Sequence, residues 1–129
     1  MSGLDSPPGN TPRHEAAHAV VAHVLGGEVR LVTVESEEEG HEGHTEVLWP
    51  ARDRDLALRH GALAALAGPL AELEHEGRHL LEEPETLAAW GRDWAEVDGA
   101  LQALERDPEA RQQLLHQWIR DVADLVADV

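Results

Sequence analysis

Apolar positions along this chain change period several times. After Thr11-Pro12, the stretch "RHEAAHAVVAHVLGG" begins with polar residues. It turns almost wholly apolar from Ala19 to Leu25, broken only by His23, and Gly26-Gly27 end it. A capping Thr, a first-turn Pro and terminal Gly residues predict a helix from Pro12 to about Leu25. "EVRLVTVE", residues 28–35, is short and β-branched, and "TEVLWP", residues 45–50, runs into Pro50. Both predict strands, able to pair as a hairpin across the polar loop "SEEEGHEGH". From Asp53 to Leu81 the leucines 56, 63, 66, 70 and 73 recur mostly at three- and four-residue steps, a helical period. Pro69 removes one backbone donor and crowds the turn before it, so that helix is expected to kink or split there. "EEPET" reads as a linker. A further helix is predicted from near Gly91-Arg92-Asp93 to about Arg106. Asp107-Pro108 then supplies a cap and a first-turn proline for a last helix. In it, Leu114, Trp118, Val122 and Leu125 make one apolar stripe, expected to face the core. No internal repeat is found.

The pattern gives an α+β fold, mainly α, with a small hairpin packed on helices. A length of 129 residues supports one domain, assigned to residues 11–129 after a disordered tail over residues 1–10. Composition then narrows the chemistry. There is no Cys, so neither a disulfide nor a cysteine metal site can form. All ten basic residues are Arg, and without Lys there is no phosphate-binding loop of the Gly-Lys-Ser/Thr type. A net charge of −16 argues against nucleic acid and anionic membranes as partners. No apolar run reaches the ~18 residues of a spanning helix. The start, "MSGLDSPPGN", lacks the basic and apolar regions of a signal peptide. A soluble, cytoplasmic protein is the expectation.

The polar opening of the first helix carries the chemistry. His14-Glu15-Ala16-Ala17-His18 is a His-Glu-x-x-His motif. Residues four apart on a helix sit about 40° from one another, so His14 and His18 project from one face and can chelate a single ion. Glu15 lies about 100° round, off the ligand face but within reach of a water on the metal. That is the arrangement of zinc hydrolases: two imidazoles hold Zn²⁺ and the carboxylate accepts the proton of the bound water. The alternative is a solvated His/Glu helix face in a chain with 9 His. The apolar run after His18 counts against it, because a buried helix needs a reason to bury polar residues.

A third ligand must come from elsewhere. His23, five residues past His18, points about 140° away on the helix. Val21 and Val24 stand where the metzincin pattern needs Gly and His. Glu37 lies in the acidic run Glu37-Glu38-Glu39 rather than on a helix, and its spacing from His18 reads as coincidence. His41 and His44 read as loop histidines. Of Glu72, Glu74, His75, Asp93 and Asp98 downstream, Glu72 and Asp93 stand as near equals. An acid at Asp93 is also explained by the helix dipole.

Several segments in order resemble the zinc peptidase domain of the FtsH family, membrane-bound ATP-dependent proteases. "RHEAAHAVVAHVLGGEVRLVTVE" is similar to that family's His-Glu-Ala-Gly-His-Ala helix and the Val-Thr-rich strand after it. "GHTEVLWP" resembles its Gly-x-Thr strand, "ALAGPLAELE" its Leu-Gly-Gly-x-Ala-Ala-Glu-Glu helix, and "WGRDWAEVDGAL" its acidic third-ligand segment. The resemblance spans roughly Arg13 to Leu104. It implies a zincin-like fold, zinc on His14, His18 and Asp93, and Glu15 as general base. It makes Glu72 a residue near the site, holding a ligating His. The strand from Thr45 to Trp49 becomes the edge that a substrate peptide joins. Ala17 replaces the family's usual Gly, and Pro69 and Leu70 interrupt its usual Gly-Arg-Ala. The family's motor and membrane helices are missing.

Two expectations follow. The first is a zinc-dependent endopeptidase acting on peptides or unfolded chains, served by a separate ATPase, unfoldase or adaptor chain, or self-associated. The second is a non-catalytic peptidase-like module that binds a peptide or protein. The intact Glu15 favours the first.

Overall fold

The computed structural model describes residues 12–33, 44–49 and 53–127. Among them are four α-helices and two strands. Helix α1 spans Pro12–Val24, strands β1 and β2 span Glu28–Thr33 and His44–Leu48, and α2 spans Arg54–His75. Helix α3 covers Gly91–Leu104 and α4 covers Pro108–Ala127. The fold is therefore mainly helical with a small sheet. The expected tail lies outside the described residues, as do 34–43, which hold the end of the first expected strand and most of the loop, and Thr11 and Pro50.

Helix α2 is the centre of the molecule. Gly61 to Leu70 are buried on every side, as a helix apolar all round requires. Helices α1, α3 and α4 all pack on it. Its small residues, "GALAALAG", let the neighbouring backbones come close. Leu66, Leu70 and Leu73 are at most 2 % exposed, each contributing roughly 1.5–3 kcal/mol of apolar burial. Asp53 starts the helix by accepting bonds from the Asp55 and Leu56 amides at 2.9 and 3.3 Å. Pro69 does not split it: the helix runs unbroken through that residue.

The helix ends six residues before Leu81, the expected limit. Gly77 has φ +77°. The amides of Gly77 and Arg78 turn back to the carbonyls of Glu74 at 3.0 Å and Leu73 at 2.9 Å, a Schellman stop. The same device ends α1. There Gly26 has φ +91°, and the Gly26 and Gly27 amides bond His23 and Ala22 carbonyls. Where a linker was expected, Pro84–Ala89 forms a 3-10 helix that buries Leu87 and delivers the chain to α3.

Strands β1 and β2 pair antiparallel, as the hairpin reading expects. The register joins Glu28 to Leu48 and Thr33 to His44, with an irregularity between Val29 and Leu31. The hairpin packs on α1. Asp107 caps α4, accepting from the Ala110 amide at 3.1 Å. The α4 stripe faces inward: Trp118 and Val122 are fully buried, and Leu114 and Leu125 pack beside the core.

Candidate metal centre

The face of α1 that carries Val21 and Ala22 into the core carries His14 and His18 on its earlier turns. His14, Glu15 and His18 are 1, 2 and 7 % exposed, and they are the buried polar and charged residues among those described. A solvated His/Glu face is thereby excluded. Burying three such side chains costs free energy unless each finds a partner, and the partners come from α2, α3 and β2.

From the first turn of α3, Asp93 reaches both imidazoles. Its Oδ2 lies 2.6 Å from His14 Nε2 and its Oδ1 lies 3.3 Å from His18 Nε2. The two rings meet edge to face with centroids 4.5 Å apart. The other ring nitrogen of each histidine faces α2, one at hydrogen-bond and one at ion-pair distance. His18 Nδ1 donates to the Ala64 carbonyl of α2 at 2.6 Å. This fixes the ring's orientation and points Nε2 at Asp93. His14 Nδ1 faces Glu72 Oε1 at 3.5 Å. Glu72 is itself held by the Trp90 indole N–H, at 3.3 Å from Oε2. So the two carboxylates that the sequence left as equals take different places. Asp93 shares the Nε2 side of both rings, and Glu72 stands behind one of them.

Glu15 turns off this face toward the sheet. Its Oε1 accepts from the Thr45 hydroxyl of β2 at 2.6 Å. The carboxylate is thus buried next to the histidines but outside the convergent group.

The electrostatics follow from this packing. Burial of the His14 ring works against its charged form. Hydrogen bonds to Asp93 and then Glu72 outweigh burial and raise it from 6.5 to about 9. Burial likewise works to raise Asp93, but the bonds from His14 and His18 prevail and lower it from 3.8 to about 2. One turn along α3, Glu96 is pushed up, first by burial and then by the charge of Asp93.

The donor set suits a metal ion. One ligand atom each from His14, His18 and Asp93 lies within 4.8 Å of the others. Two neutral imidazoles and a carboxylate are the donor types of catalytic zinc sites, which use three protein ligands. The backing contacts to Nδ1, one carbonyl and one carboxylate, are those that orient ligating histidines.

Two contributors escaped the sequence reading. Gly68 is one. A Cβ there would lie 2.6 Å from His14 Cδ2 and Cε1 and still closer to Nε2, so only Gly admits the ring against α2. The signal was a Gly inside an apolar helix, which costs ~1 kcal/mol against Ala and so asks for a reason. Trp90, which aligns Glu72, gave no signal. The rejected candidates behave as expected where they are described. His23 is exposed, as are Glu74 and His75, and Asp98 accepts from Gln102 on the surface of α3. Glu37 and His41 lie outside the described residues; His44, expected in the loop, instead opens β2 and pairs with Thr33. Among the described residues, no helix is long and apolar enough to cross a membrane. No protein-family model matches the chain, and no curated protein matches it.

Proposed function

We propose that this chain is a zinc-dependent endopeptidase domain of zincin-like fold, similar to the peptidase domain of the FtsH family, which hydrolyses peptides or unfolded chains. The observation that carries the reading is the convergence of His14 Nε2, His18 Nε2 and Asp93 beside a buried glutamate held by Thr45. Zinc, when bound, lowers the pKa of a water ligand toward ~7 and polarises the substrate carbonyl. The chain does the rest. His14, His18 and Asp93 hold the ion, while the Ala64 carbonyl and Glu72 orient the two rings. Glu15 Oε2, with Oε1 engaged by Thr45, accepts a proton from the attacking water and later delivers it to the leaving amine. With no Tyr in the chain, a further oxyanion donor is a His, an Arg or a backbone amide.

Substrate binds along β2. That strand pairs with β1 on one side in a two-stranded sheet. Among the described residues no strand pairs with its other edge, and an extended peptide adds there as a third strand. Such binding selects unfolded segments. A separate unfoldase or adaptor chain would supply them from folded proteins.

The test is Glu15→Gln. Wild type loaded with zinc should cleave casein or an unstructured peptide. The variant should keep its zinc and its peptide while cleavage falls by at least ~10²-fold, the worth of a positioned acid–base group. Equal peptide binding by both proteins, with cleavage by neither, would make the chain a peptide-binding module instead.

A further inference from the structure

Beside the metal ligands stands a carboxylate that the proposed reaction does not use. Glu96 follows Asp93 by one turn of α3. Much of its side chain is at the surface, but the carboxylate lies back against α2, where Oε1 is 3.2 Å from the place a Gly61 Cβ would occupy. The indole nitrogen of Trp49 lies 3.8 Å from the same point. Trp49 directly follows β2, and the far edge of its ring rests on a second bare position, Gly27, where a Cβ would meet Cζ3 at 2.8 Å. Two glycines therefore make room for one indole, and one of them also makes room for Glu96.

Among the described residues, none makes an ion pair or a hydrogen bond to this carboxylate. The charges acting on Glu96 are those of Asp93, which opposes its ionisation, and His18, which favours it. His60 packs on Trp49 with ring centroids 5.9 Å apart. It is pushed down from 6.5 by burial and then by Arg59, so it is neutral at physiological pH and supplies no counterion. Nor does Glu96 belong to the metal group, which comprises His14, His18 and Asp93.

We infer that Glu96, Trp49 and the bare backbone at Gly61 form a subsite that takes a cationic side chain, arginine or lysine, of the bound peptide. A cation there meets a carboxylate with no ion-pair partner among the described residues and an aromatic ring beside it, and both attract it. The inference rests on the reading that peptides bind along β2. A peptide on that edge runs from Thr45, which holds Glu15, to Trp49, so the subsite lies a few residues to one side of the scissile bond.

The experiment walks a single arginine, against norleucine, through each position of a blocked unstructured peptide. Affinity is read by fluorescence anisotropy on zinc-loaded Glu15→Gln protein, and cleavage on wild type. One position should favour arginine by roughly ten-fold or more. The preference should vanish when Glu96→Gln is added, and Glu96→Arg should favour glutamate at that position. Circular dichroism confirms that both variants stay folded. An arginine preference spread evenly over all positions, one that survives Glu96→Gln, or no peptide binding at all would overturn the subsite. Cleavage without a position-specific arginine preference removes the subsite and leaves the peptidase. Position-specific binding without cleavage removes the peptidase and leaves the subsite.

Discussion

At 2.6 Å, the contact between His14 Nε2 and Asp93 Oδ2 contains a proton in the metal-free protein, and this gives its stability a pH signature. His14 is raised to about 9 from 6.5. The stabilisation is therefore complete below pH 6.5 and is lost as pH rises through 9. A shift of this size is worth on the order of 3 kcal/mol. In chelator, the urea midpoint should fall between pH 6.5 and 9.5, and His14→Ala should flatten that fall. At the acid end Asp93 is lowered to about 2, so its contribution holds above 3.8 and disappears as pH drops toward 2. The same proton must leave when metal binds. Titration with zinc at pH 7.5, followed with a pH indicator, should release close to one proton per chain from His14. Gly68→Ala sets a steric test. The added methyl overlaps the His14 ring, so zinc affinity should fall at least ten-fold, with an overpacking cost of ~1–3 kcal/mol in denaturation. Of these residues the motif was legible, because His14, Glu15 and His18 are neighbours on one helix. Choosing Asp93 over Glu72 was not legible from spacing. His14 and Asp93 are 79 positions apart, and only the packing of α3 on α2 decides which carboxylate meets both rings.

At the scale of elements, two glycines should respond to alanine with opposite signs. Gly77 ends α2 at φ +77°, so Gly77→Ala should cost about 1–2 kcal/mol. Gly99 lies inside α3 with open space around it, so Gly99→Ala should stabilise by up to ~1 kcal/mol. Denaturation midpoints at unchanged m-value check both. The contrast also explains which boundaries could be read. Thr11-Pro12, Gly26 and Asp107-Pro108 are strong local signals next to a change of period, and the elements fall where they indicate. Gly77 sits among "LEHEGRHLL", where leucines continue on both sides, so the apolar pattern overran the stop. Leu80 and Leu87 stay buried after it, held by turns and a 3-10 helix instead of a continued helix. Pro69 misled in the other direction. Its local penalty is real, but Gly61 to Leu70 are buried on all sides, and that packing holds the helix through the proline.

For the whole molecule, the balance of core and site decides how much the metal matters to folding. The core joins Val21 of α1, Leu66 and Leu70 of α2, Val97 of α3 and Trp118 of α4, enough apolar surface for the helices to hold without a metal, unlike a zinc finger. Chelator should lower the melting temperature while most of the helical circular dichroism remains at room temperature. Complete unfolding would show that the ion is structural. Zinc binding, the proton release and the chemistry proposed for Glu15 all require that the buried group on α1 and α3 be a metal centre. The most direct measurement is zinc per chain by elemental analysis after mild dialysis, for wild type, Asp93→Ala and Glu72→Ala. The expected result is close to one zinc in wild type, loss in Asp93→Ala, and retention with weakened affinity in Glu72→Ala. Full retention in Asp93→Ala with loss in Glu72→Ala, or no zinc uptake by wild type, would contradict it.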